Sequence, residues 1–332
     1  MNKSAVSGIS VVIPNYNGRQ LLPEILPSVK AALLGTNLPH EIIISDDCST
    51  DDSVAFLQTN HPELKLLTSD INLGFSPTIN RGIFAASHSH LLLLNSDVKL
   101  SPDYFSHLLR YFDREDSFGV MGRIVGWNDG KIQDGGKYPS FHGLKIKTSG
   151  NYIPATNEPI QWLYSMYLSG ANAFVDRAKM VGIGGFDELF APFYVEDFEL
   201  SLRAWRLGWK CYYEHHAVCR HKESVTIKQK SKKSRIKQIY YRNKMFLHAI
   251  HLPALSVIAW HFQLLGEIII NLFAFRFYFI KAAFQYLGQL SPVLSRRRAI
   301  KAYARKAGRP LLNVKDVTSL VRENVSGQTR IK

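Results

Sequence analysis

Three apolar runs in the first hundred residues each end on acidic residues: EIIISDD at 41–47, LKLLTSD at 64–70 and LLLLNSD at 91–97. A shorter run, ISVVIP at 9–14, ends on a polar loop instead. Runs this apolar are typical of strands buried on both faces, which occur in parallel sheets that are covered by helices. Because helical patterns separate the runs, the sequence predicts an α/β fold with a mostly parallel sheet and helices on both faces.

Polar side chains stand at or just beyond the ends of these predicted strands. They are Asn15, Asn17, Asp46, Asp47 and Asp97. Ligands of such sheets collect at the carboxyl ends of the strands, so we expect these residues to face one cleft. Three carboxylates in one cleft would repel each other unless a cation or a donor-rich ligand lay between them. A hard divalent cation with oxygen ligands, itself holding a diphosphate, fits that chemistry.

Basic residues are concentrated at the C-terminal end. The chain has 332 residues and a net charge of +14, and residues 226–332 contain 21 lysines and arginines against three acids. That region therefore carries +18 and residues 1–225 carry −4. We predict a main domain at 1–225 and a basic, apolar-rich helical region at 226–332, joined by the basic linker TIKQKSKKSRIKQ. Such asymmetry indicates an anionic partner, either a membrane surface or nucleic acid.

Residues 254–275 are long and apolar enough for a transmembrane helix. Glu267 lies near the centre of this segment, and Gln263 and Asn271 share one helical stripe with it. A central acid costs roughly 2.5–3.5 kcal/mol on insertion scales, which disfavours a span. The flanking lysines and arginines favour a helix that lies on an anionic membrane surface. Helices packed on the protein or on a second copy, and a true span, remain alternatives.

The cysteine pattern and the N-terminal residues indicate the cellular compartment in which the protein is expected. Cys48, Cys211 and Cys219 show neither metal-ligand nor paired spacing, and the first ten residues lack the apolar run of a signal peptide. We therefore expect a reducing cytoplasm, with the protein peripheral at the inner face of the cell membrane.

Glu196-Asp197 opens a predicted helix that ends near Gly208. Acids in a first turn are favourable to the helix dipole, which is expected to keep Asp197 ionised. Arg203 either supports the carboxylates of this helix or forms a solvated pair with Glu199. The Gly-rich stretch at 126–165 is predicted to be an excursion over the cleft.

Eight short motifs occur in order along the chain. They are PNYNG (14–18), SDDCSTDDS (45–53), NLGFSPTINRG (72–82), LLNSD (93–97), SGA (169–171), GGFDE (184–188), VEDFELSLRAWRLGW (195–209) and Ala217-x-x-x-His221. Together they resemble the family 2 glycosyltransferases, which have the GT-A nucleotide-sugar-binding fold. The most similar subgroup is the bacterial rhamnosyltransferase-like enzymes of surface-polysaccharide assembly. The resemblance covers about residues 8–245 and does not extend to the basic tail.

The resemblance implies a role for each matching position. The nucleotide-sugar site would comprise Pro14, Asn15, Tyr16, Asn17, Asp46, Asp47, Asn72, Gly74, Asn80, Asn95 and Ser96. The acceptor side would comprise Ser169, Gly170, Ala171 and Glu196. Asp97 and His221 would hold Mg²⁺ or Mn²⁺ on the diphosphate, and Asp197 would be the catalytic base.

Two positions depart from the family pattern. Asn95 stands where the family's Asp-x-Asp element has its first acid, and related rhamnosyltransferase-like sequences often have Asn there. Glu199 stands where the family usually has a second Asp, which leaves its role open.

The function that the resemblance implies is inverting transfer of a sugar from a nucleoside diphosphate to a glycan acceptor in cell-surface polysaccharide synthesis. L-Rhamnose is one candidate sugar, and the acceptor is expected to be a glycan or a lipid-linked molecule. The alternatives are a UDP-hexose donor on the same fold, and a non-catalytic protein that binds nucleotide sugars or nucleic acid. Nucleic acid is disfavoured because the basic residues lie among apolar runs outside the cleft domain. A homo-oligomer remains an alternative to a monomer.

Overall fold

The computed structural model describes residues 6–147, 150–156, 162–222 and 232–331. The strands are β1 Ile9–Asn15, β2 His40–Asp46, β3 Lys65–Leu67, β4 His90–Leu94, β5 Val98–Leu100, β6 Ser117–Gly126, β7 Ile132–Asp134, β8 Gly136–Lys137, β9 Ser140–His142, β10 Lys145–Lys147, β11 Asn151–Ile153, β12 Leu163–Tyr164, β13 Asn172–Asp176, β14 Lys210–His221 and β15 Thr329–Ile331. The helices are α1 Leu22–Leu34, α2 Ser53–Asn60, α3 Phe75–Ala85, α4 Tyr104–Leu108, α5 Arg177–Gly182, α6 Glu196–Arg206, α7 Lys233–His251, α8 Ala254–Phe273, α9 Phe277–Leu287, α10 Leu290–Lys306 and α11 Val314–Asn324.

The main sheet has the strand order β12-β14-β6-β13-β4-β1-β2-β3. Strands β4, β1, β2 and β3 are parallel, as predicted from their apolar runs. Strand β13 runs antiparallel between β4 and β6, and β14 is parallel to β6. The predicted α/β class with a mostly parallel sheet is therefore confirmed, with one reversed strand near its centre.

Helices cover both faces of this sheet. On one face, α1 buries Leu22, Ile25 and Val29 at helical spacing, and α4 packs beside it. On the other face, α3, α5 and α6 share a core with the C-terminal helices. In β4, the side chains of Leu91 to Leu94 are fully buried because the two faces of the strand meet different cores. Burying a leucine contributes about 1.5–3 kcal/mol, so this run fixes the centre of the sheet.

The C-terminal region packs on the rest of the chain. Phe246 and Ile250 of α7 lie in the same core as Phe198 of α6. The predicted domain boundary at 225/226 and residues 226–231 of the predicted basic linker lie outside the described residues.

Helix α8 has three distinct faces. Trp260 and Leu264 are buried, whereas Leu255 and Phe262 are 82% and 73% exposed. The polar stripe predicted from the sequence lies against the β9–β10 hairpin, where Glu267 pairs with Lys145 at 2.5 Å. Among the described residues, α8 is the one helix that is long and apolar enough to cross a membrane. It combines packing on the protein with an exposed apolar face.

Candidate functional site

The polar loop after β1 is tied to the acidic end of β2. Asn15 and Asp46 are register partners in the sheet, and Asn15 Nδ2 donates to Asp46 Oδ2 at 2.7 Å. The backbone N–H and the hydroxyl of Ser49 also donate to the Asp46 carboxylate, at 2.8 and 2.7 Å. Asn17 adopts a left-handed backbone with a φ of 54°, and its Oδ1 accepts from the N–H of Thr50 at 2.7 Å. These bonds form a rigid pair of loops at the edge of the cleft.

The carboxylate of Asp47 holds a second loop. It accepts hydrogen bonds from the backbone N–H groups of Leu73 at 2.8 Å and Gly74 at 2.9 Å. Asn72 Nδ2 donates to the Asp47 carbonyl at 3.1 Å. Gly74 has a φ of 86°, and a Cβ there would lie 2.8 Å from the Cα of Pro192. Glycine is needed at this position because both the backbone conformation and the close approach exclude a side chain.

These contacts correct one step of the sequence argument. Asp46 and Asp47 were expected to need a cation because of mutual repulsion with Asp97. Protein N–H and O–H groups instead satisfy both carboxylates, which removes the electrostatic need for a cation at this pair. Their role as part of a nucleotide-sugar site remains a prediction.

Asp97 and His221, the two predicted metal ligands, lie next to each other. Strand β5 pairs with β14 so that Val98 is opposite His221. This register places Asp97 Oδ2 3.4 Å from His221 Nε2. Gln133 of β7 lies 2.9 Å from His221 Nδ1, which leaves Nε2 directed at the carboxylate. An outer hydrogen bond of this kind orients a ligating imidazole.

The donor set at this point suits a divalent cation that also binds a ligand. A carboxylate oxygen and an imidazole nitrogen are both good ligands for Mn²⁺, and the oxygen suits Mg²⁺. The described residues contain no group of three or more His, Cys, Asp or Glu side chains arranged for a metal. Oxygens from a bound diphosphate would therefore complete the coordination.

Glu196 and Asp197 follow a strained turn. Tyr194 and Val195 have φ values of 75° and 76°, in the left-handed region that a β-branched valine rarely adopts. Such residues cost of order 1–3 kcal/mol each and persist only where their surroundings enforce them. Asn243 of α7 enforces this turn, since its buried amide donates to the carbonyls of Phe193 at 3.1 Å and Tyr194 at 2.8 Å.

The two carboxyl groups of this pair have raised pKa values. Burial raises the pKa of Asp197, although the N–H of Phe198 donates to its Oδ1 at 2.7 Å. Burial and the neighbouring Asp197 raise the pKa of Glu196 to about 8. Glu196 Oε2 is buried and has no hydrogen-bond partner among the described residues. The helix dipole was expected to dominate here, but desolvation outweighs it, so Asp197 has a higher proton affinity than an exposed aspartate.

Glu199 and Arg203 form a buried pair rather than a solvated one. Arg203 Nη2 lies 2.8 Å from Glu199 Oε2, and the guanidinium also donates to the carbonyls of Ile183 and Gly185. His251 of α7 lies 3.2 Å from Glu199 Oε1. Burial alone would raise the pKa of Glu199, but Arg203 and His251 outweigh it and lower the pKa to about 2. Glu199 therefore anchors α6 to α7, and of the two alternatives for Arg203 the structure has the one in which it supports a carboxylate of its own helix.

The predicted acceptor segment connects the metal pair with the carboxyl pair. Ala171 accepts a hydrogen bond from the N–H of Asn95 at 3.1 Å. A Cβ on Gly170 would lie 3.8 Å from the Cβ of Asp197. The segment Ser169-Gly170-Ala171 therefore runs from beside Asp197 to the end of β4, and its assignment to the acceptor side remains a prediction.

The remaining predicted residues differ in their surroundings. Pro14 lies in β1 opposite Ser45, and Tyr16 is partly buried in the loop that follows. Ser96 Oγ lies 3.7 Å from the position of a Cβ on Gly18, so it approaches the β1 loop. The side-chain amide of Asn80 instead forms two hydrogen bonds with the backbone of Phe186, donating to its carbonyl and accepting from its N–H, both at 2.9 Å. Its amide is thereby occupied, which favours a positioning role for Asn80.

Several residues near the site carried no sequence signal. Lys137 is buried, pairs with Asp134, and lowers the pKa of Asp197 against the effect of burial. Both lie in the irregular stretch after β6, where no motif or period marks them. Gln133, Asn243 and His251 are likewise isolated polar residues whose partners are distant in sequence.

Comparison with known proteins agrees with this geometry. Residues 10–172 match the model of the family described as glycosyl transferase family 2. An N-acetylglucosaminyl-diphospho-decaprenol L-rhamnosyltransferase of Mycobacterium tuberculosis is 25% identical over an alignment of 251 residues that covers 66% of this chain and 77% of that protein.

Solved structures share the fold. GalNAc-T7, crystallised with UDP, GalNAc and Mn²⁺, has a TM-score of 0.55 at 16% identity and covers 76% of this chain and 49% of its own. The mannosyltransferase PcManGT of Pyrobaculum calidifontis, in complex with GDP-Man and Mn²⁺, has a TM-score of 0.51 at 14% identity and covers 96% and 84%. The ordered motifs, the GT-A fold and the family match lead to one conclusion: residues 10–172 of this chain belong to glycosyl transferase family 2.

Proposed function

We propose that this protein transfers a sugar from a nucleoside diphosphate to an acceptor hydroxyl with inversion at the anomeric carbon. The observation that carries this proposal is the environment of Asp197. Its pKa is raised by burial, it stands at the start of α6, and it lies beside Gly170 of the segment that reaches Asn95. A carboxylate of raised basicity across a cleft from a metal-type pair suits a single displacement.

The proposed reaction forms one bond, breaks another and transfers one proton. An acceptor oxygen forms a bond to the anomeric carbon while the bond from that carbon to the diphosphate oxygen breaks. Asp197 takes the proton of the acceptor hydroxyl, and the electron pair of the broken bond leaves with the diphosphate. Asp97 and His221 would hold Mg²⁺ or Mn²⁺, which supplies positive charge to the departing diphosphate.

The other residues orient the reactants. The loops held by Asp46 and Asp47 would receive the nucleotide, with Asn95 and Ser96 near the diphosphate end. Glu196, protonated below a pKa of about 8, would donate a hydrogen bond on the acceptor side. These roles follow from the position of each side chain around the cleft, and each is part of the proposal.

For the donor sugar we propose L-rhamnose, with a UDP-hexose as the rival. The Mycobacterium tuberculosis relative is an L-rhamnosyltransferase, and its name gives N-acetylglucosaminyl-diphospho-decaprenol as the acceptor. The rival has support from the fold neighbour crystallised with UDP. One hydroxyl contact in the pocket can decide between such donors.

We further propose that the protein works on lipid-linked acceptors at the cytoplasmic face of a membrane. Helices α8 and α9 expose apolar side chains, among them Phe262, Phe273 and Phe284 at 69–78% of their area. Lysines and arginines surround these helices in the sequence. An amphipathic surface of this kind binds bilayers through buried apolar area and attraction to anionic lipid.

A donor screen tests the proposed function. Purified protein is incubated with a panel of nucleotide sugars and Mg²⁺ or Mn²⁺, and thermal shift and release of the nucleoside diphosphate are measured. We expect one donor to raise the melting temperature and to be hydrolysed slowly, and a chelator to remove both effects. No response to any nucleotide sugar would contradict the proposal, and chelator-insensitive activity would remove the metal role of Asp97 and His221.

A further inference from the structure

A second cavity lies outside the cleft, between the β9–β10 hairpin and helices α7, α8 and α9. Its volume is about 440 Å³. Three lysines line it, Lys145, Lys147 and Lys244, together with the single acid Glu267. Aromatic and apolar side chains form the rest of its wall, including Tyr240 and Trp260.

The lysines give the cavity an excess of positive charge. Lys145 pairs with Glu267 at 2.5 Å, whereas neither Lys147 nor Lys244 forms an ion pair with another described residue. Lys244 is largely buried, and burial together with the charge of Lys145 lowers its pKa to about 8. Glu267 offsets only part of the cost of burying this ammonium group, and an anion in the cavity would offset more of it.

The cavity lies close to the acceptor side of the proposed catalytic base. The ring of Tyr240, which lines the cavity, has its centroid 6.4 Å from that of Tyr194, two residues before α6. The ring of Tyr167 packs on Phe198 at 5.0 Å, and the nearby charge of Asp197 helps burial to raise the pKa of Tyr167. The wall of the cavity at Tyr240 therefore lies beside the turn that precedes α6.

The two helices α8 and α9 that line the cavity also have an exposed apolar face. Trp260, Leu264 and Phe279 point into the cavity wall, and the opposite sides of these two helices carry Phe262 and Phe284 in the open. An amphiphile with a charged head in the cavity could lay its chain along this face. Lysine ammonium groups bind phosphate as compact point charges with three donors each.

We propose that this lysine-lined cavity binds the phosphate or diphosphate group of a prenyl-linked acceptor, which places the acceptor sugar at Asp197 and the prenyl chain on α8 and α9. This inference rests on the proposed function and names its acceptor class. It also explains the polar stripe of α8, because Glu267 and Gln263 hold the hairpin that carries Lys145 and Lys147. No bond is made or broken at this site.

The test measures binding alone, so its result is independent of any transfer activity. Farnesyl diphosphate is titrated into the full chain by calorimetry, with farnesol, inorganic pyrophosphate and phosphatidylglycerol vesicles as separate arms. The variants are Lys147→Gln, Lys244→Gln and the double variant. Lys233→Gln is the matched control, since it is exposed at the start of α7 and does not line the cavity.

We expect the double variant to raise the Kd for farnesyl diphosphate about tenfold or more, the effect of losing charge-assisted bonds. Lys233→Gln should leave that Kd unchanged, pyrophosphate should compete in the wild type, and farnesol binding should be the same in all variants. Because Lys147 is exposed, its single variant shows the effect even if Lys244→Gln impairs folding. An unchanged Kd in Lys147→Gln and the double variant would overturn the proposal. An equal loss of vesicle binding would also overturn it, by assigning the lysines to general attraction to the membrane.

Discussion

Two pairs of adjacent acids, Asp46-Asp47 at the end of β2 and Glu196-Asp197 at the start of α6, have opposite surroundings. The first pair accepts five hydrogen bonds from protein donors, three at Asp46 and two at Asp47. In the second pair, burial raises both pKa values and Glu196 Oε2 has no hydrogen-bond partner among the described residues. Two adjacent acids are therefore satisfied by hydrogen bonds in one place and desolvated in the other.

This difference in surroundings suits the two acid pairs to different roles. A carboxylate whose hydrogen bonds are satisfied by the protein is suited to holding loops in place. An under-satisfied carboxylate has a perturbed pKa, which is the property a general base needs. Substitutions in the first pair should mainly change stability, and substitution of Asp197 in the second should mainly change rate.

The largest expected effect is that of Asp197→Asn. The amide cannot take a proton from the acceptor, so we expect the transfer rate to fall by about 10²–10⁴-fold. Donor affinity, measured by calorimetry with Mn²⁺ present, should be unchanged. A rate near that of the wild type would contradict the proposed difference between the two pairs, because Asp197 would then be no more reactive than Asp46.

Glu199, the third acid of α6, serves as a control for Glu196-Asp197, because its pKa is lowered rather than raised. Glu199→Gln leaves buried Arg203 without its counter-ion, and breaking a buried pair costs about 3–5 kcal/mol of the free energy of unfolding. In the wild type, the pKa of Glu199 is lowered to about 2, so its contribution is present above pH 4.5 and is lost as the pH falls toward 2. Urea denaturation from pH 3 to pH 7 should show this slope in the wild type and a flatter one in the variant.

A smaller loss of stability is expected from Asp47→Asn. The amide can keep one acceptor, but its NH₂ group meets an N–H of Leu73 or Gly74, so a charge-assisted bond is lost. We expect the free energy of unfolding to fall by about 1.5–3 kcal/mol. The turnover number with saturating donor should stay close to that of the wild type, and a loss of rate without a loss of stability would contradict the structural role.

The smallest effect is expected from Glu196→Gln at neutral pH. Glu196 has a pKa of about 8, so it is already protonated at pH 7 and glutamine mimics that form. Because the folded state holds its proton more tightly than the unfolded state, wild-type stability should decline as the pH rises from 4.5 to 8. The variant should lack this component of the decline, and its transfer rate at pH 7 should match that of the wild type. An equal decline in both proteins would show that Glu196 ionises normally.

Much of the fold follows from the apolar runs. Leu91 to Leu94 could be assigned to a central strand because four consecutive buried leucines require a core on each face, and the structure has both. The ordered motifs also identified the family and assigned Asp97 and His221 to one site. The register of β5 on β14, which brings those two side chains together, has no signal of its own in the sequence.

The surroundings of the acids could not be predicted in the same way. The donors to Asp47 are backbone groups of Leu73 and Gly74, and a sequence gives no indication of where a backbone N–H will point. The burial of the Glu199–Arg203 pair could not be predicted for a similar reason, since the second partner of Glu199 is His251, on a helix that begins at Lys233. Local spacing predicts an i,i+4 pair, but only the packing of α7 decides that the pair is buried.

The anomeric configuration of the product tests the central claim most directly. The account has one base, Asp197, on the acceptor side of a single displacement, so the new glycosidic bond should have the configuration opposite to that of the donor. Proton NMR of the product made by wild-type protein from a donor of known configuration measures this through the coupling constants or carbon shift of the anomeric position. Inversion is the predicted result. Retention would contradict the account, because it requires either a second displacement or attack from the side of the leaving diphosphate.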